Sequence, residues 1–210
     1  MSTLAELDLT REGVFVGLPM PLTLRVAMPI TDDELIAFSQ CNKPWQIERN
    51  AKGELEIMSP VGFEGSQREL FVMRSLGNWA EEHGGVCASS SAGFTLPDSS
   101  VRSPDASWVS DSRVRTLTPN EKRRFPPICP EFLIEILSES DSRAKLEAKM
   151  QIWMDHGAKL AWMIDPFTAT VSVYRPDAEV EVLIRPEFVD AGEPVLGFRL
   201  KTSPLWADAQ

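Results

Sequence analysis

The stretch EFLIEILSESDSRAKLEAKMQIWMDHGAKLAWMIDP, residues 131–166, decides how this chain folds. It begins with an apolar run over residues 132–137, broken only by Glu135, and ends with a second apolar run over 160–165, closed by Pro166. Between them Leu146, Met150 and Trp153 recur at helical spacing within residues 141–156, and Gly157 stops the pattern. Strand, helix and strand of these lengths predict a right-handed crossover joining two parallel strands. Glu135 is the odd residue in this unit. Its neighbours are apolar and its own face includes Leu133 and Leu137, as in an inner strand covered on both sides.

About thirty residues earlier, VRSPDASWVS (101–110) repeats the oddity. Read with period two as one strand, it places Val101, Ser103, Asp105, Ser107 and Val109 on one face. Two acids in neighbouring buried strands repel each other and are costly to desolvate. A cation, a metal, or exposure at a strand end would offset that cost. The crossover helix offers the cation. Glu135 lies about 10 Å before the helix start at roughly 3.3 Å per strand residue, and Lys149 lies about 12 Å into the helix at 1.5 Å per residue. Because the helix runs back over its strand, Lys149 returns to the level of Glu135. It borders the apolar stripe, where a lysine lays its stem on the core and extends its amine. A solvated flank position is the alternative reading for Lys149, with Lys145 one turn earlier and nearer the exposed side.

Working outward, residues 1–28 show no clean period and read as an arm or cap preceding one domain over 29–210. Thr31 and Glu34 are spaced as a capping box ahead of a short helix. WQIERNAKGELEIM (45–58) reads as a hairpin turning around residues 50–53, and residues 63–83 as a helix with Leu70, Met73, Leu76, Trp79 and Ala80 on its apolar side. After PDSS (97–100), a turn, and the 101–110 stretch comes a long loop with one helical turn at Thr118, Pro119 and Glu121. VSVYRPDAEVEVLI (171–184) is a further hairpin. The expected class is α/β, with a mixed central sheet flanked by helices and carrying an added N-terminal and an added C-terminal hairpin.

The totals bound the function. No apolar run approaches the ~18 residues of a membrane span, and the first residues lack a basic and then apolar leader. Three widely spaced cysteines make neither a disulfide framework nor a zinc site, so a reducing, cytoplasmic setting is expected. The net charge of −10 opposes sequence-independent binding to phosphates. The charge is uneven, however: residues 102–149 hold nine Lys/Arg against eight Asp/Glu. No phosphate-cradling glycine loop or Ser-His-Asp arrangement is present. His83 and His156 fall at helix ends, where they complement the dipole, and EKRRF (121–125) reads as a solvated loop, with a grip on phosphates as the alternative.

Two carboxylates and a lysine suit metal-assisted phosphodiester hydrolysis, because hard oxygen ligands hold Mg²⁺ with several of its waters. The ordered set SPD (103–105), EILS (135–138), Lys149 and HGAKLAWMIDP (156–166) resembles the Uma2 (DUF820) family of the PD-(D/E)XK, restriction-endonuclease-like superfamily. The likeness extends over about residues 30–200, including GELEIMSPVGFEG (53–65). It implies a restriction-endonuclease-like sheet, Mg²⁺ (or Mn²⁺), and DNA cleavage by an endonuclease, with a homodimer as the arrangement that would cut two strands. Asp105, Glu135 and Lys149 are then the catalytic residues. Asp105, Glu135, the Ile136 backbone carbonyl and Glu64 are the metal ligands. The common superfamily pattern sets its lysine two residues after the acid; here that position is Leu137, and the helical Lys149 replaces it. At a helix start, an acid such as Glu64 is also favoured by the dipole alone, and Asp165 is explained by a strand-end turn. Two other readings stand beside this one: a non-catalytic binding or regulatory module that keeps the fold, and a metal hydrolase of small phosphoesters.

Overall fold

Where apolar and polar residues alternate, the chain forms short antiparallel strands; where both faces are apolar, it forms the buried centre of a mixed sheet. The computed structural model describes residues 21–139 and 141–207. It begins with a ribbon made of β1 (Leu22–Leu24), helix α1 (Asp32–Cys41), β2 (Gln46–Arg49) and β3 (Leu55–Met58). β3 is antiparallel to both β1 and β2. The capping box of α1 is present, with Glu34 N–H on Thr31 Oγ1 and Thr31 N–H on Glu34 Oε2. The hairpin turns where the Asn50 side-chain oxygen accepts from the N–H groups of Lys52 and Glu54. Most of the arm expected over residues 1–28 lies outside the described residues; of the remainder, Leu22–Leu24 is a paired edge strand.

Helix α2 (Phe63–His83) matches its expected extent. Its buried stripe is Arg68, Val72, Leu76 and Ala80, spaced by four. Leu70, expected on that stripe, is 68% exposed, because it lies about 200° around the wheel from both Arg68 and Val72. Gly84 and Gly85 end the helix with φ of 84° and 86°, a region open to glycine without a Cβ penalty. The Trp108 indole N–H closes this turn on the Gly84 carbonyl at 2.9 Å.

Next come β4 (Val86–Ser89), β5 (Phe94–Thr95), β6 (Val101–Arg102), β7 (Ala106–Val109) and a short helix α3 (Asp111–Thr116). The segment 101–110 is therefore not one strand. β6 joins the ribbon through β2 and β5, whereas β7 pairs with β4 and with β8 (Phe132–Ile136) in the central sheet. The break falls at Ser103-Pro104-Asp105. Proline has no N–H to give a ladder, so the chain changes sheets there. Helix α3 occupies part of what reads in sequence as loop. The turn at Thr118 is present, with Glu121 N–H on Thr118 Oγ1 and a 3₁₀ turn over Glu121–Arg123.

Helix α4 (Arg143–Asp155), β9 (Leu160–Asp165), β10 (Thr170–Tyr174), β11 (Glu181–Ile184) and a final hairpin, β12 (Phe188–Asp190) with β13 (Arg199–Lys201), complete the chain. The central sheet has the order β11-β10-β9-β8-β7-β4, with β8 and β9 parallel and the other pairs antiparallel. The ribbon has the order β1-β3-β2-β6-β5. Phe132, Ile134 and Ile136 face α2 with Val72 and Leu76, while Leu133 and Leu137 face α4 with Leu146, Met150 and Trp153. Each such fully buried side chain contributes about 1.5–3 kcal/mol relative to exposure. The sheet is thus covered on both sides, and Glu135 belongs to the α4 side.

Candidate active site

β8 pairs with β7 so that Ala106 lies opposite Ile134. Continuing that register one step past the end of β7 sets Asp105 across from Glu135, on the same face of the sheet. The Ile136 N–H donates to Asp105 Oδ2 at 2.7 Å and holds the aspartate against the strand. Glu135 is 3% exposed. Its Oε1 accepts from the Trp153 indole N–H at 2.8 Å and from Lys149 Nζ at 2.9 Å. Asp105 Oδ1 and Glu135 Oε2 have no hydrogen-bond partner among the described residues, and both side chains line one cleft of about 370 Å³. The strand break sharpens this geometry. Because β7 starts only at Ala106, after Pro104, Asp105 stays partly exposed at the strand's start instead of sealed in a ladder.

Lys149 reaches back over β8 as the helix geometry predicts. Its ammonium meets Glu135 Oε1, Glu48 Oε1 at 3.1 Å and the Ser103 carbonyl at 3.0 Å. Glu48, on β2, also accepts from Ser103 N–H at 2.9 Å and, through Oε2, from Arg102 at 2.9 Å. Arg102 pairs in turn with Glu56. Burial opposes the charge on Glu48, but Lys149 and Arg102 outweigh it and hold its carboxyl below the ordinary range. Burial also opposes the charge on Lys149, but Glu135, Glu48 and Asp105 outweigh it and keep the ammonium charged.

The two opposed acids shift the other way. Burial, and then the charge of Glu69, push Asp105 up to about 7 despite Lys149. Burial pushes Glu135 up to about 8; the pull of Lys149 is offset by the charges of Asp105 and Glu48. Such paired displacement marks groups that a positive ligand would relieve.

Of the residues singled out in the sequence, Asp105, Glu135, Ile136 and Lys149 line the same cleft. Glu64 is not among its lining residues. It forms an i,i+4 pair with Arg68 at 3.1 Å, on a side chain more than half exposed. The helix acid that does face the cleft is Glu69, five residues on. Burial and the charge of Glu135 raise its pKa, against a hydrogen bond from Ser90. Glu69 precedes Val72 and Met73 by one turn, the only sequence signal that points it inward. Glu48 gave no signal beyond its place in an alternating hairpin. Trp153, read as core, is core and also a donor to Glu135. Asp165 is held by the N–H groups of Phe167 and Thr168 and by Arg143, and stays outside the cleft lining.

The donor set fits a hard divalent cation that keeps most of its waters: two carboxylates with unpaired oxygens on a water-accessible cleft. Among the described residues, no three His, Cys, Asp or Glu side chains are grouped closely enough to cage a metal by themselves. No helix described is long and apolar enough to cross a membrane.

Comparison with known proteins agrees with this architecture. The model of the family Uma2, described as "Putative restriction endonuclease", matches residues 33–203, which contain every site residue named above. A solved structure, titled as a "putative nuclease belonging to DUF820" from Anabaena variabilis, superposes with a TM-score of 0.67 at 25% identity. It covers 87% of this chain and the whole of its own. No curated protein matches. With a family match over most of its length, and a mixed sheet that superposes on a DUF820 protein, this chain belongs to the Uma2 family, a nuclease family.

Proposed function

We propose that this protein is a divalent-metal-dependent endonuclease that hydrolyses DNA phosphodiester bonds at the Asp105–Glu135 cleft. One observation carries the reading: two acids opposed across β7 and β8 each leave one oxygen unpaired on the cleft, beside a lysine that reaches them from the crossover helix. Asp105 and Glu135, with the Ile136 backbone carbonyl, would hold Mg²⁺ or Mn²⁺, and Glu69 takes the place that sequence reading gave to Glu64. Bound there, the ion would lower the pKa of a water and neutralise charge growing on the phosphate. The chain's own contribution is positional. Ile136 N–H fixes Asp105, Trp153 N–H fixes Glu135, and Lys149 places a positive charge beside both, where partial burial strengthens it.

Plasmid DNA incubated with the protein and Mn²⁺ should be nicked or linearised, and Asp105→Ala should leave it intact. Equal DNA patterns for the two proteins would end the proposal. A second reading, a binding module without catalysis, draws on the acid excess in the cleft, where Glu48, Glu56, Glu69, Asp105, Glu135 and Asp141 outnumber Arg102, Lys145 and Lys149. Calorimetric titration separates the two: Mn²⁺ binding that disappears in Glu135→Ala supports the nuclease, and no binding supports the module.

A further inference from the structure

An ammonium group has three protons to donate, and Lys149 has three acceptors within 3.1 Å: Glu135, Glu48 and the Ser103 carbonyl. Only Glu135 belongs to the pair of opposed acids. Glu48 comes from β2, a strand of the other sheet, and is 1% exposed. One of its oxygens receives both Lys149 Nζ and Ser103 N–H, while the other receives Arg102. Ser103 lies two residues before Asp105, inside the break between β6 and β7. A single buried carboxylate therefore links the helix that carries the lysine to the loop that carries the aspartate.

We infer that Glu48 is the positioning residue of this site, fixing the Lys149 ammonium and the Ser103-Pro104-Asp105 break relative to each other. The inference rests on the nuclease reading for its consequence in catalysis, but not for the linkage itself. When the Glu135 carboxylate is engaged elsewhere, Glu48 and the Ser103 carbonyl still hold two ammonium protons. The third is then left to point into the cleft, toward a water or a phosphate oxygen. Without Glu48 only one anchor would remain, and the amine would swing on its four-carbon stem. An alanine removes all three of the bonds to Glu48, whereas a glutamine could keep its oxygen on Lys149 and Ser103 N–H and turn its NH₂ toward Arg102.

The first test needs no metal or DNA. In [¹⁵N]lysine-labelled protein, an ammonium locked in three hydrogen bonds exchanges its protons slowly, so Lys149 should give an observable NH₃⁺ signal that Glu48→Ala abolishes. The second measures Mn²⁺-dependent DNA cleavage by wild type, Glu48→Ala, Lys149→Ala and the double variant. Glu48→Ala should lower kcat by about tenfold or more with KM for DNA and Mn²⁺ affinity little changed. The double variant should be no slower than Lys149→Ala, because Glu48 acts through the lysine. A persistent NH₃⁺ signal, an unchanged kcat, or single effects that multiply in the double variant would each overturn the inference. If the wild type cuts no DNA, the nuclease reading fails, and the NH₃⁺ signal alone decides whether Glu48 positions Lys149. Should Glu48→Ala not fold, Glu48→Asp keeps the charge, shortens the reach by one methylene, and carries the same comparisons.

Discussion

The ends of β8 and β9 each carry a buried acid, on adjacent parallel strands, and the two are treated in opposite ways. Asp165 closes β9 in a turn. Burial opposes its charge, but the N–H groups of Thr168 and Phe167 and the Arg143 guanidinium outweigh it and hold its carboxyl below the usual range. Both of its oxygens are used. Glu135 in β8 has burial and two neighbouring acids against it, is raised to about 8, and keeps one oxygen unpaired on the cleft. Burial alone therefore does not separate an acid that stabilises the fold from one available for chemistry. What separates them is whether fixed donors have already taken every lone pair.

The largest effects expected from this contrast concern activity. Asp105→Ala and Glu135→Ala should each reduce Mn²⁺-dependent plasmid cleavage by about 100-fold or more. Asp165→Asn should cut nearly as well as the wild type at a temperature where it is folded. An Asp165 variant as inactive as the other two would erase the distinction. Next in size is Lys149→Met, which strands Glu135 as a buried charge and leaves Glu48 with Arg102 alone as its cation. Urea denaturation should show a loss of about 3–5 kcal/mol at pH 9, and a smaller loss at pH 6, where Glu135 can take up a proton.

A smaller pair of effects has opposite signs. Asp165 has a lowered pKa, so it contributes stability above its unfolded value and loses it as pH falls through the folded one. Asp165→Asn should cost about 1–3 kcal/mol at pH 8.5. Asp105 is raised to about 7, so its contribution is full at low pH and is lost as pH rises through that value. Asp105→Asn should therefore raise the melting temperature of the metal-free protein at pH 8.5 and change it little at pH 5. Smallest of all, the rise in melting temperature produced by Mn²⁺ should be greater at pH 8.5 than at pH 6, because protons on Asp105 and Glu135 compete with the ion. A pH-independent rise would place the ion elsewhere.

Much of this was legible in the residue pattern. Period two and period 3.6 located both hairpins, α2, α4 and the parallel pair β8–β9, since those periods record which face of a local element meets the core, and the Thr31–Glu34 capping box located α1. The helix stripe and the rise per residue also brought Lys149 level with Glu135, because strand and return helix are joined within one short unit. The pattern was misleading where several registers suit it. Leu70 is apolar yet lies off the buried stripe, and the stretch 101–110 alternates smoothly across a boundary between two sheets.

By itself, then, the sequence determined the α/β class, the crossover unit, and that Lys149 returns to the level of Glu135 within it. Only the tertiary structure decided that Pro104 hands the chain from the ribbon to the central sheet, that Glu69 and not Glu64 faces the cleft, and that Glu48 joins Lys149 to the Ser103 loop. The physical reason is range. Periodicity reports a residue's side of its own element, whereas a buried carboxylate is given its partners by segments 55 and 101 residues away, and no local pattern encodes where those segments will pack.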